Sequence, residues 1–422
     1  MRIEFVNHSS VIFHHDNISL ICDPWVEKPV FHNGWDHLSP SKFRFSEFER
    51  ITHIWFSHEH PDHFFPPNIR KIDESHRKNI IVYFQRTRDR KVVDFLEKLN
   101  FKSIIEVDPG QWMEVGKDLR FICNPFEDDS WLCIKQGNTT ILNTNDCVIR
   151  TLEQAKQIHN QTGDITILLT QFSYGQYEGN KEESFKREEA VQVKFRQMDN
   201  QIMVFKPEYL IPFASFIYFC HEENYYMNDR LNKIGNVYNY YLSKASVIPV
   251  IMYCGDEWDL NETYENSEAA VLKWKNCYLK VENNPRLIRS MPLSWEELQA
   301  SFGNYLKRVS SKKKILEKLK RIGPLIILLT DLDMIVRFSW SGLEEIGEKD
   351  YNVAASSEVI SYCLNHQWGF NTTHVNGRIQ FYNNGYELFV QYENISNALS
   401  HDEIISDIFT KVFYRFKKLV VF

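Results

Sequence analysis

The chain has 422 residues, enough for one large domain and a second, smaller one. Its hydrophobic fraction of 43% and charged fraction of 25% are ordinary for a globular protein, and its net charge of −7 argues against nucleic acid as the main partner. No apolar stretch reaches the roughly 18 residues that a membrane span needs, and the first residues predict a strand rather than a secretory signal. The eight cysteines form no CxxC pair, so a reducing cytoplasm is the expected location.

Strand patterns dominate the first part of the chain. Residues 2–23 predict two strands, and helices are predicted from Val92 to Leu99, at the start of 151–170 and over 182–204. Strand runs followed by helix–strand alternation predict an α/β protein with a four-layer αββα sandwich. The other strands predicted here lie at 51–57, 80–84, 103–107, 119–124, 131–135, 139–143, the end of 151–170, and 209–213.

The pattern changes after residue 245. Residues 246–294 are loop-rich and polar, and a helix–strand–helix–strand pattern then predicts a small α+β domain that covers or flanks the first. A basic run at 311–321 is predicted to be the solvated face of a helix, because apolar residues recur in it at helical spacing. The predicted units are therefore 1–245, 246–294 and 295–422.

Four side chains that commonly bind metal ions follow an apolar strand within six residues: His58, His60, Asp62 and His63. Alternate residues of an extended segment share a face, so His58 and His60 can bind one ion, while Asp62 and His63 can reach a second beyond the Pro61 turn. Surface or core histidines are the ordinary alternative, but three histidines and an aspartate at this spacing favour a metal site. Imidazole and carboxylate together suit zinc, iron or manganese.

The spacing H-x-H-x-D-H resembles the signature of the metallo-β-lactamase superfamily, which implies two metal ions and further ligands from later strand ends. Asp146, after the strand Thr140 to Asn143, fits the bridging aspartate of that pattern. A carboxylate has two oxygens and can hold two cations at once, which lowers their mutual repulsion.

Two positions depart from the superfamily pattern. Where a third-motif histidine is expected, the chain has Glu127, Asp128 and Asp129. They are either a solvated acidic turn or a carboxylate in place of imidazole, which would shift metal preference from zinc toward iron or manganese. Where the last histidine is often found, the chain has Ala214, and the nearest candidate is His221, with a core or loop histidine as the alternative.

Within the superfamily, the chain resembles the metallo-β-lactamase-like part of the CMP-N-acetylneuraminate hydroxylases. That family also carries a Rieske iron–sulfur domain, whose paired cysteine and histidine motifs are not found in this sequence. Any electrons would therefore come from a separate protein, or the reaction needs none. The segments that carry the resemblance are Cys22-Asp23-Pro24-Trp25, the H-x-H-x-D-H loop, Ile141 to Cys147, Gln171 to Gly175, and Pro212 to Phe216 followed by His221.

Three functional hypotheses follow. The first is a di-iron oxygenase, a hydroxylase whose substrate, by resemblance, is a nucleotide-sugar or related carbohydrate. The second is a hydrolase of phosphoester or acyl substrates that uses two zinc or manganese ions, with Asp62 orienting the attacking hydroxide. The third is a binding protein without catalytic metal, which the packed ligand cluster argues against because unsatisfied buried ligands cost stability.

The oxygenase hypothesis assigns each candidate residue a role. His58, His60 and Asp129 or Asp128 would bind one iron. Asp62, His63 and His221 would bind the other. Asp146 would lie between the ions, and Asp62 and Asp146 would also take part in catalysis. The expected partners are a small-molecule substrate and a separate electron-transfer protein, and the residues predicted to line the substrate pocket are Trp25, Tyr174 and Tyr177.

Overall fold

The computed structural model describes residues 1–347 and 350–400, so residues 401–422 of the predicted C-terminal domain lie outside the described part. Two seven-stranded sheets and a two-stranded pair occupy the first part of the chain. The strands are β1 (Arg2–Asn7), β2 (Ser10–His15), β3 (Ile18–Cys22), β4 (Trp35–His37), β5 (His53–Phe56), β6 (Ile81–Gln85), β7 (Ser103–Val107), β8 (Trp112–Gly116), β9 (Leu119–Phe126), β10 (Asp129–Gln136), β11 (Thr139–Asn143), β12 (Ile167–Gln171), β13 (Tyr209–Phe213), β14 (Ile217–Phe219), β15 (Ile248–Pro249) and β16 (Glu257–Asp259). The helices are α1 (Pro66–Lys71), α2 (Glu74–Arg77), α3 (Lys91–Glu97), α4 (Leu152–Thr162), α5 (Ser184–Phe205), α6 (Ile234–Lys244) and α7 (Ser267–Asn283), with 3₁₀ helices at Phe45–Arg50 and Tyr225–Arg230.

Each large sheet combines an antiparallel half with a parallel half. The first has the order β16-β1-β2-β3-β5-β6-β7, with parallel pairs from β3 to β7. The second has the order β15-β13-β12-β11-β10-β9-β8, with parallel pairs from β11 to β15. Parallel strands end at one edge of a sheet, and the neighbouring antiparallel strand begins there. Each sheet therefore gathers several loops at a single edge.

The two sheets pack face to face, and their facing side chains form the largest hydrophobic core. Phe5, Phe13 and Trp55 of the first sheet and Phe121 and Trp131 of the second are all at most 1% exposed. Burying one such ring contributes about 1.5–3 kcal/mol. The alternating apolar residues that predicted these strands therefore point into the space between the sheets.

Helices cover the outer face of each sheet. Ile54 of the first sheet packs in a cluster with Val92 and Leu96 of α3. Helices α4 to α7 cover the second sheet, where Trp274 of α7 stacks on Phe216 with ring centroids 4.0 Å apart. This layer order confirms the predicted αββα sandwich. No helix within the described residues is long and apolar enough to cross a membrane.

Helix α4 shows how local sequence sets the element boundaries. Thr151 precedes it, and its side chain accepts a hydrogen bond from the Gln154 backbone NH. The Gln154 side chain in turn accepts a hydrogen bond from the Thr151 backbone NH. Such a capping box satisfies amide groups that the first turn leaves unpaired. The helix ends at Gly163, whose φ of 71° is easily adopted without a β-carbon.

Residues 246–294 are more ordered than the predicted loop-rich connection. Strands β15 and β16 extend one edge of each sheet, and α7 buries Ala270 and Trp274 in the main core. Both strands are only two or three residues long, so they have too little periodicity to be recognised in the sequence.

The C-terminal part has its own sheet and core. Its five-stranded sheet has the order β19-β18-β17-β20-β21. The predicted basic helix is confirmed as α9, with Ile315 and Leu319 buried. The elements are α8 (Trp295–Ser310), α9 (Lys313–Leu319), β17 (Leu325–Leu329), β18 (Met334–Ser339), β19 (Gly342–Glu345), β20 (Val353–Ala355), α10 (Ser357–Asn365), α11 (Gly369–Asn376), β21 (Gln380–Phe381) and α12 (Gly385–Ser400).

Arg378 ties this C-terminal part to the sandwich. Its side chain is buried and donates hydrogen bonds to the His32 carbonyl at 2.7 Å, to Glu223 at 2.6 Å and to Glu358 at 3.0 Å. We expect Arg378→Met to lower the free energy of unfolding by about 2–4 kcal/mol, because the half-buried carboxylates of Glu223 and Glu358 lose their cation. Urea unfolding measures the change.

The control is Arg86→Met, which removes an exposed arginine paired with Asp108 and should cost about 1 kcal/mol or less. Equal losses in both variants would show that Arg378 does not stabilise the junction.

Glu4 forms a second buried ionic contact, within the first sheet. Its carboxylate accepts two hydrogen bonds of 2.7 Å from Arg50 and lies 3.1 Å from His14 Nε2. Burial alone would raise the pKa of Glu4, but the hydrogen bonds from His14 and Arg50 outweigh it and lower the pKa to about 2. The charged carboxylate therefore stabilises the folded state.

We expect Glu4→Gln to reduce the free energy of unfolding at about pH 7 by about 2–3 kcal/mol. Because the folded pKa lies below the ordinary value of 4.5, the loss should be complete above that pH and shrink as pH falls toward 2. Unfolding curves for the wild type and the variant at about pH 7, 5 and 3 measure the difference. Glu257→Gln, at an exposed pair with Arg2, is the control, and a difference independent of pH would contradict the expectation.

Candidate metal centre

The strand ends of both sheets meet at one cluster of candidate metal ligands, which consists of residues 58–63 with Asp129 and Asp146. In the first sheet, β5 ends before the H-x-H-x-D-H loop, and β3 ends before Asp23. In the second sheet, β10 begins at Asp129, and its antiparallel neighbour β11 ends three residues before Asp146. The structure brings residues 58–63 together with Asp129 and Asp146, which are distant in sequence.

His58 is the centre of the first group of contacts. Its Nε2 lies 2.8 Å from His60 Nδ1, and its Nδ1 lies 3.0 Å from Asp129 Oδ1. Asp129 is 7% exposed, whereas Glu127 is exposed and pairs with Arg150, and Asp128 is exposed. Of the three acids in the predicted turn, Asp129 is therefore the one at the cluster.

His63 is the centre of the second group. Its Nε2 lies 3.2 Å from Asp62 Oδ2 and 3.3 Å from Asp146 Oδ2. Its other nitrogen, Nδ1, lies 3.1 Å from Asp23, which fixes the orientation of the ring. His8, in the turn between β1 and β2, reaches the same group, with its Nε2 3.1 Å from Asp62 Oδ2.

The charges of these groups are strongly coupled. Burial would lower the pKa of His63, but the Asp62 and Asp146 carboxylates raise it well above its usual value. Burial would raise the pKa of Asp146, but His63 lowers it to about 2. Burial lowers the pKa of His60 to about 4, with His58 adding to the effect, and it raises the pKa of Asp129. The carboxylates thus favour positive charge at this place.

A cation fits the donor atoms that the cluster leaves unpaired. Asp62 Oδ1, His63 Nε2 and Asp129 Oδ2 are buried and have no hydrogen-bond partner among the described residues. Each unsatisfied buried polar atom costs about 1–3 kcal/mol. Two compact sets, His8 with Asp62 and His63, and His58 with His63 and Asp146, place one donor atom per residue within 4.8 Å of the others. Nitrogen and carboxylate donors at such distances suit divalent transition metals.

Asp23 holds the cluster in place and was not assigned a role from the sequence. It is fully buried and accepts hydrogen bonds from the Ser57 backbone and hydroxyl, both at 2.8 Å, and from Asn145 Nδ2 at 2.6 Å. His8 and His37 were also missed. Burial lowers the pKa of His37, and nearby His8 adds to this effect. Asp23 and His8 each follow directly after a strand. This position could have marked them as neighbours of His58, which also follows a strand of the same sheet.

The structure does not bring His221, a predicted ligand, to this cluster. Its backbone NH donates to Asn224 Oδ1 at 3.0 Å, and its Nδ1 accepts from the Glu223 backbone at 3.2 Å. Burial and, to a smaller extent, nearby Arg378 lower the pKa of His221 to about 4. Strand β14 pairs with β4 outside the large sheets, so the chain has left the metal edge before His221.

The three residues predicted to line the pocket differ in position. Trp25 is buried beside the cluster, with its ring stacked on His37 at 3.6 Å and edge-on to His8 at 5.6 Å. Tyr174 donates from its hydroxyl to the Met227 carbonyl at 2.5 Å, and Tyr177 donates to Asn180 at 2.6 Å while packing on the C-terminal part. Only Trp25 contacts cluster residues in the part of the chain that the structure describes.

The cluster is open on the side of His60 and Asp146, which are half-buried. Asp146 Oδ1 accepts a hydrogen bond of 2.5 Å from Gln171, whose carbonyl accepts one of 2.6 Å from Lys194 Nζ. Burial lowers the pKa of Lys194 to about 8, although Asp146 and Glu178 oppose this. The cationic Lys194 side chain is therefore linked to the accessible Asp146 carboxylate through Gln171.

Comparison with known proteins finds a partial match to a hydroxylase. No family model matches the chain. The cytidine monophosphate-N-acetylneuraminic acid hydroxylase of Xenopus laevis is 32% identical over 155 residues, which are 35% of this chain and 26% of the hydroxylase. The H-x-H-x-D-H loop and the αββα sandwich are similar to those of the metallo-β-lactamase superfamily. The chain spans about a quarter of the length of the hydroxylase that it matches.

Two solved structures show a more distant similarity. CmlA, a diiron β-hydroxylase from Streptomyces venezuelae, has a TM-score of 0.45 and 15% identity, covering 61% of this chain and 54% of CmlA. A possible metal-dependent hydrolase from Veillonella parvula has a TM-score of 0.47 and 10% identity, covering 62% of this chain and 99% of the hydrolase. Both similarities are too low to bear on activity.

Asp129 gives a direct test of the metal cluster. We expect Asp129→Asn to lose about one of two bound ions, because an amide oxygen is a much weaker ligand than a carboxylate. Elemental analysis of protein purified without oxygen measures the loss, and circular dichroism checks the fold. Asp128→Asn, the same change at the exposed neighbouring position, should retain both ions. Equal metal content in the two variants would remove Asp129 from the site.

Proposed function

We propose that the chain is a dinuclear-metal enzyme, and that it is a di-iron hydroxylase. The observation that carries this proposal is the Asp129 carboxylate, 3.0 Å from His58, at the position where a histidine was expected from the superfamily pattern. Three carboxylates, Asp62, Asp129 and Asp146, make the donor set rich in hard anionic oxygen, which favours iron or manganese over zinc. The similarity to a hydroxylase supports the same choice.

The residues divide into two ligand groups. His58, His60 and Asp129 would hold one ion, and Asp62 and His63 would hold the other, with Asp146 between them. When bound, the iron pair would supply the site at which O₂ is bound and reduced. Asp23 keeps the His63 ring in one orientation, because His63 Nδ1 lies 3.1 Å from its carboxylate. The Gln171 side chain fixes Asp146 in the same way, through a 2.5 Å hydrogen bond.

The proposed substrate is a nucleotide-sugar or a related anionic carbohydrate. The name of the Xenopus hydroxylase supplies this class, and the match covers 26% of that protein. Lys194 supports it, since its amino group lies next to Gln171 on the open side of the cluster and could attract a phosphate or carboxylate. Trp25 contributes a buried ring beside His8, which excludes water from that part of the cluster.

Hydroxylation with O₂ also requires two electrons. The sequence carries no paired cysteine and histidine motifs of the Rieske type, so we propose that a separate protein or domain delivers the electrons. The reaction should therefore depend on an added reductant.

The experiment begins with protein purified without oxygen and loaded with Fe²⁺. We expect about two irons per chain and a change in the near-ultraviolet and visible absorption when O₂ is admitted to the reduced protein. With a chemical reductant and CMP-N-acetylneuraminate as the probe, mass spectrometry should detect a product heavier by one oxygen atom. Asp129→Asn should abolish both signals, whereas Asp128→Asn should retain them.

The hydrolase hypothesis predicts a different outcome. Two zinc or manganese ions per chain, no reaction of the reduced protein with O₂, and turnover of a phosphodiester or lactone would overturn the oxygenase proposal. Absence of any tightly bound metal would overturn both enzymatic proposals and leave a binding protein.

A further inference from the structure

We infer that His8 is a further protein side chain that binds the ion held by Asp62 and His63. The inference rests on the two-metal site of the proposed function and completes its second half, for which His221 is not in place. It assigns a ligand from the turn between β1 and β2, a region to which neither the metal motif nor the comparisons assign a role.

The distances around Asp62 are those of ligands that share an ion. Asp62 Oδ2 lies 3.1 Å from His8 Nε2 and 3.2 Å from His63 Nε2, and the three donor atoms lie within 4.8 Å of one another. Nitrogen and oxygen ligands about 2.0–2.2 Å from a tetrahedral ion are about 3.3 Å apart. Two of the three donor-atom separations therefore already have the spacing of a coordination shell.

The position of His8 explains how the chain manages without a histidine after β13. The Ala214 backbone NH donates a 2.8 Å hydrogen bond to the His8 carbonyl, so the two residues are direct neighbours. Ala214 is the position at which the last histidine was expected, and its methyl group leaves space there. The imidazole of His8 enters the cluster from the neighbouring strand turn instead.

The turn that carries His8 is fixed to the motif loop. Ser9 Oγ donates to the Asp62 carbonyl at 3.3 Å, and the Asn7 side chain donates to the Ser39 carbonyl at 2.8 Å. Trp25 lies edge-on to the His8 ring, which is itself 2% exposed. A ligand held by such contacts needs little reorganisation when it binds an ion.

The ordinary alternative is a core histidine that only orients Asp62 by a hydrogen bond. That role satisfies Asp62 Oδ2 but leaves the buried Asp62 Oδ1 without a hydrogen-bond partner among the described residues, and it leaves His63 Nε2 with only carboxylate contacts of 3.2 and 3.3 Å. An ion bound by all three residues satisfies His63 Nε2 as well. The two roles differ in the number of ions that the protein holds when His8 is removed.

The experiment titrates metal-free protein with Co²⁺ and counts the bound ions by equilibrium dialysis and elemental analysis. We expect the wild type to bind two ions, and His8→Gln to bind one with wild-type affinity and the second about a hundredfold or more weakly. His221→Gln is the matched control, since it also replaces a buried histidine, and it should bind two ions as the wild type does.

Two ions bound with wild-type affinity by His8→Gln would overturn the inference and leave the proposed function intact. A wild type that binds fewer than two ions would overturn both. If His8→Gln fails to fold by circular dichroism, a crystal structure of the Co²⁺-loaded wild type decides the question. His8 Nε2 within about 2.3 Å of an ion supports the inference, and a separation above about 3 Å overturns it.

Discussion

The Asp23 carboxylate is the contact on which the arrangement of the site depends. It is fully buried, accepts hydrogen bonds from Ser57 before the motif loop and from Asn145 beside Asp146, and lies 3.1 Å from His63 in the cluster. One anion thus connects the edges of both sheets. Because a buried charge is stable only when hydrogen bonds surround it, any movement of one sheet edge against the other would leave Asp23 poorly solvated. The two halves of the sandwich are therefore held in register where the ligands meet.

The buried surroundings of the cluster determine how its charged groups interact. Three carboxylates and several imidazoles lie within contact distance of one another and are mostly shielded from water. In such surroundings like charges repel strongly, and the imidazoles become the counter-charges of the acids. A divalent cation can take over that role without protonating a ligand. Without a cation, the cluster therefore lowers the stability of the folded protein, because several of its buried donor atoms remain unpaired.

The sequence was sufficient for the sandwich and for the motif loop, because both depend on local patterns. Alternating apolar residues marked the strands, and six consecutive residues supplied four of the candidate ligands. The sequence narrowed the acidic ligand to one of three residues in a turn. The β9–β10 hairpin was needed to choose among them, because it buries Asp129 and leaves Asp128 exposed.

The remaining parts of the site depend on contacts between distant residues. His8 is 54 residues from Asp62, so only the strand order brings them together. The sequence predicted His221 as a metal ligand because it follows the strand Tyr209–Phe213 closely. Pairing of β14 with β4 instead directs the chain away from the cluster before His221. In the C-terminal part, α11 contains several asparagine and threonine residues, and its buried side chains rather than helix propensity hold it in place.

The loop at residues 30–34 serves two parts of the molecule. Asn376 donates to the Phe31 carbonyl at 2.9 Å, and a β-carbon on Gly34 would lie only 2.4 Å from the Asn376 side chain. The ring of Phe31 also packs 5.8 Å from that of His60. The C-terminal part therefore supports the loop whose Phe31 ring packs against His60. Shortening the protein to its sandwich would remove that support, so the smallest fragment suited to biochemical study extends well past residue 376.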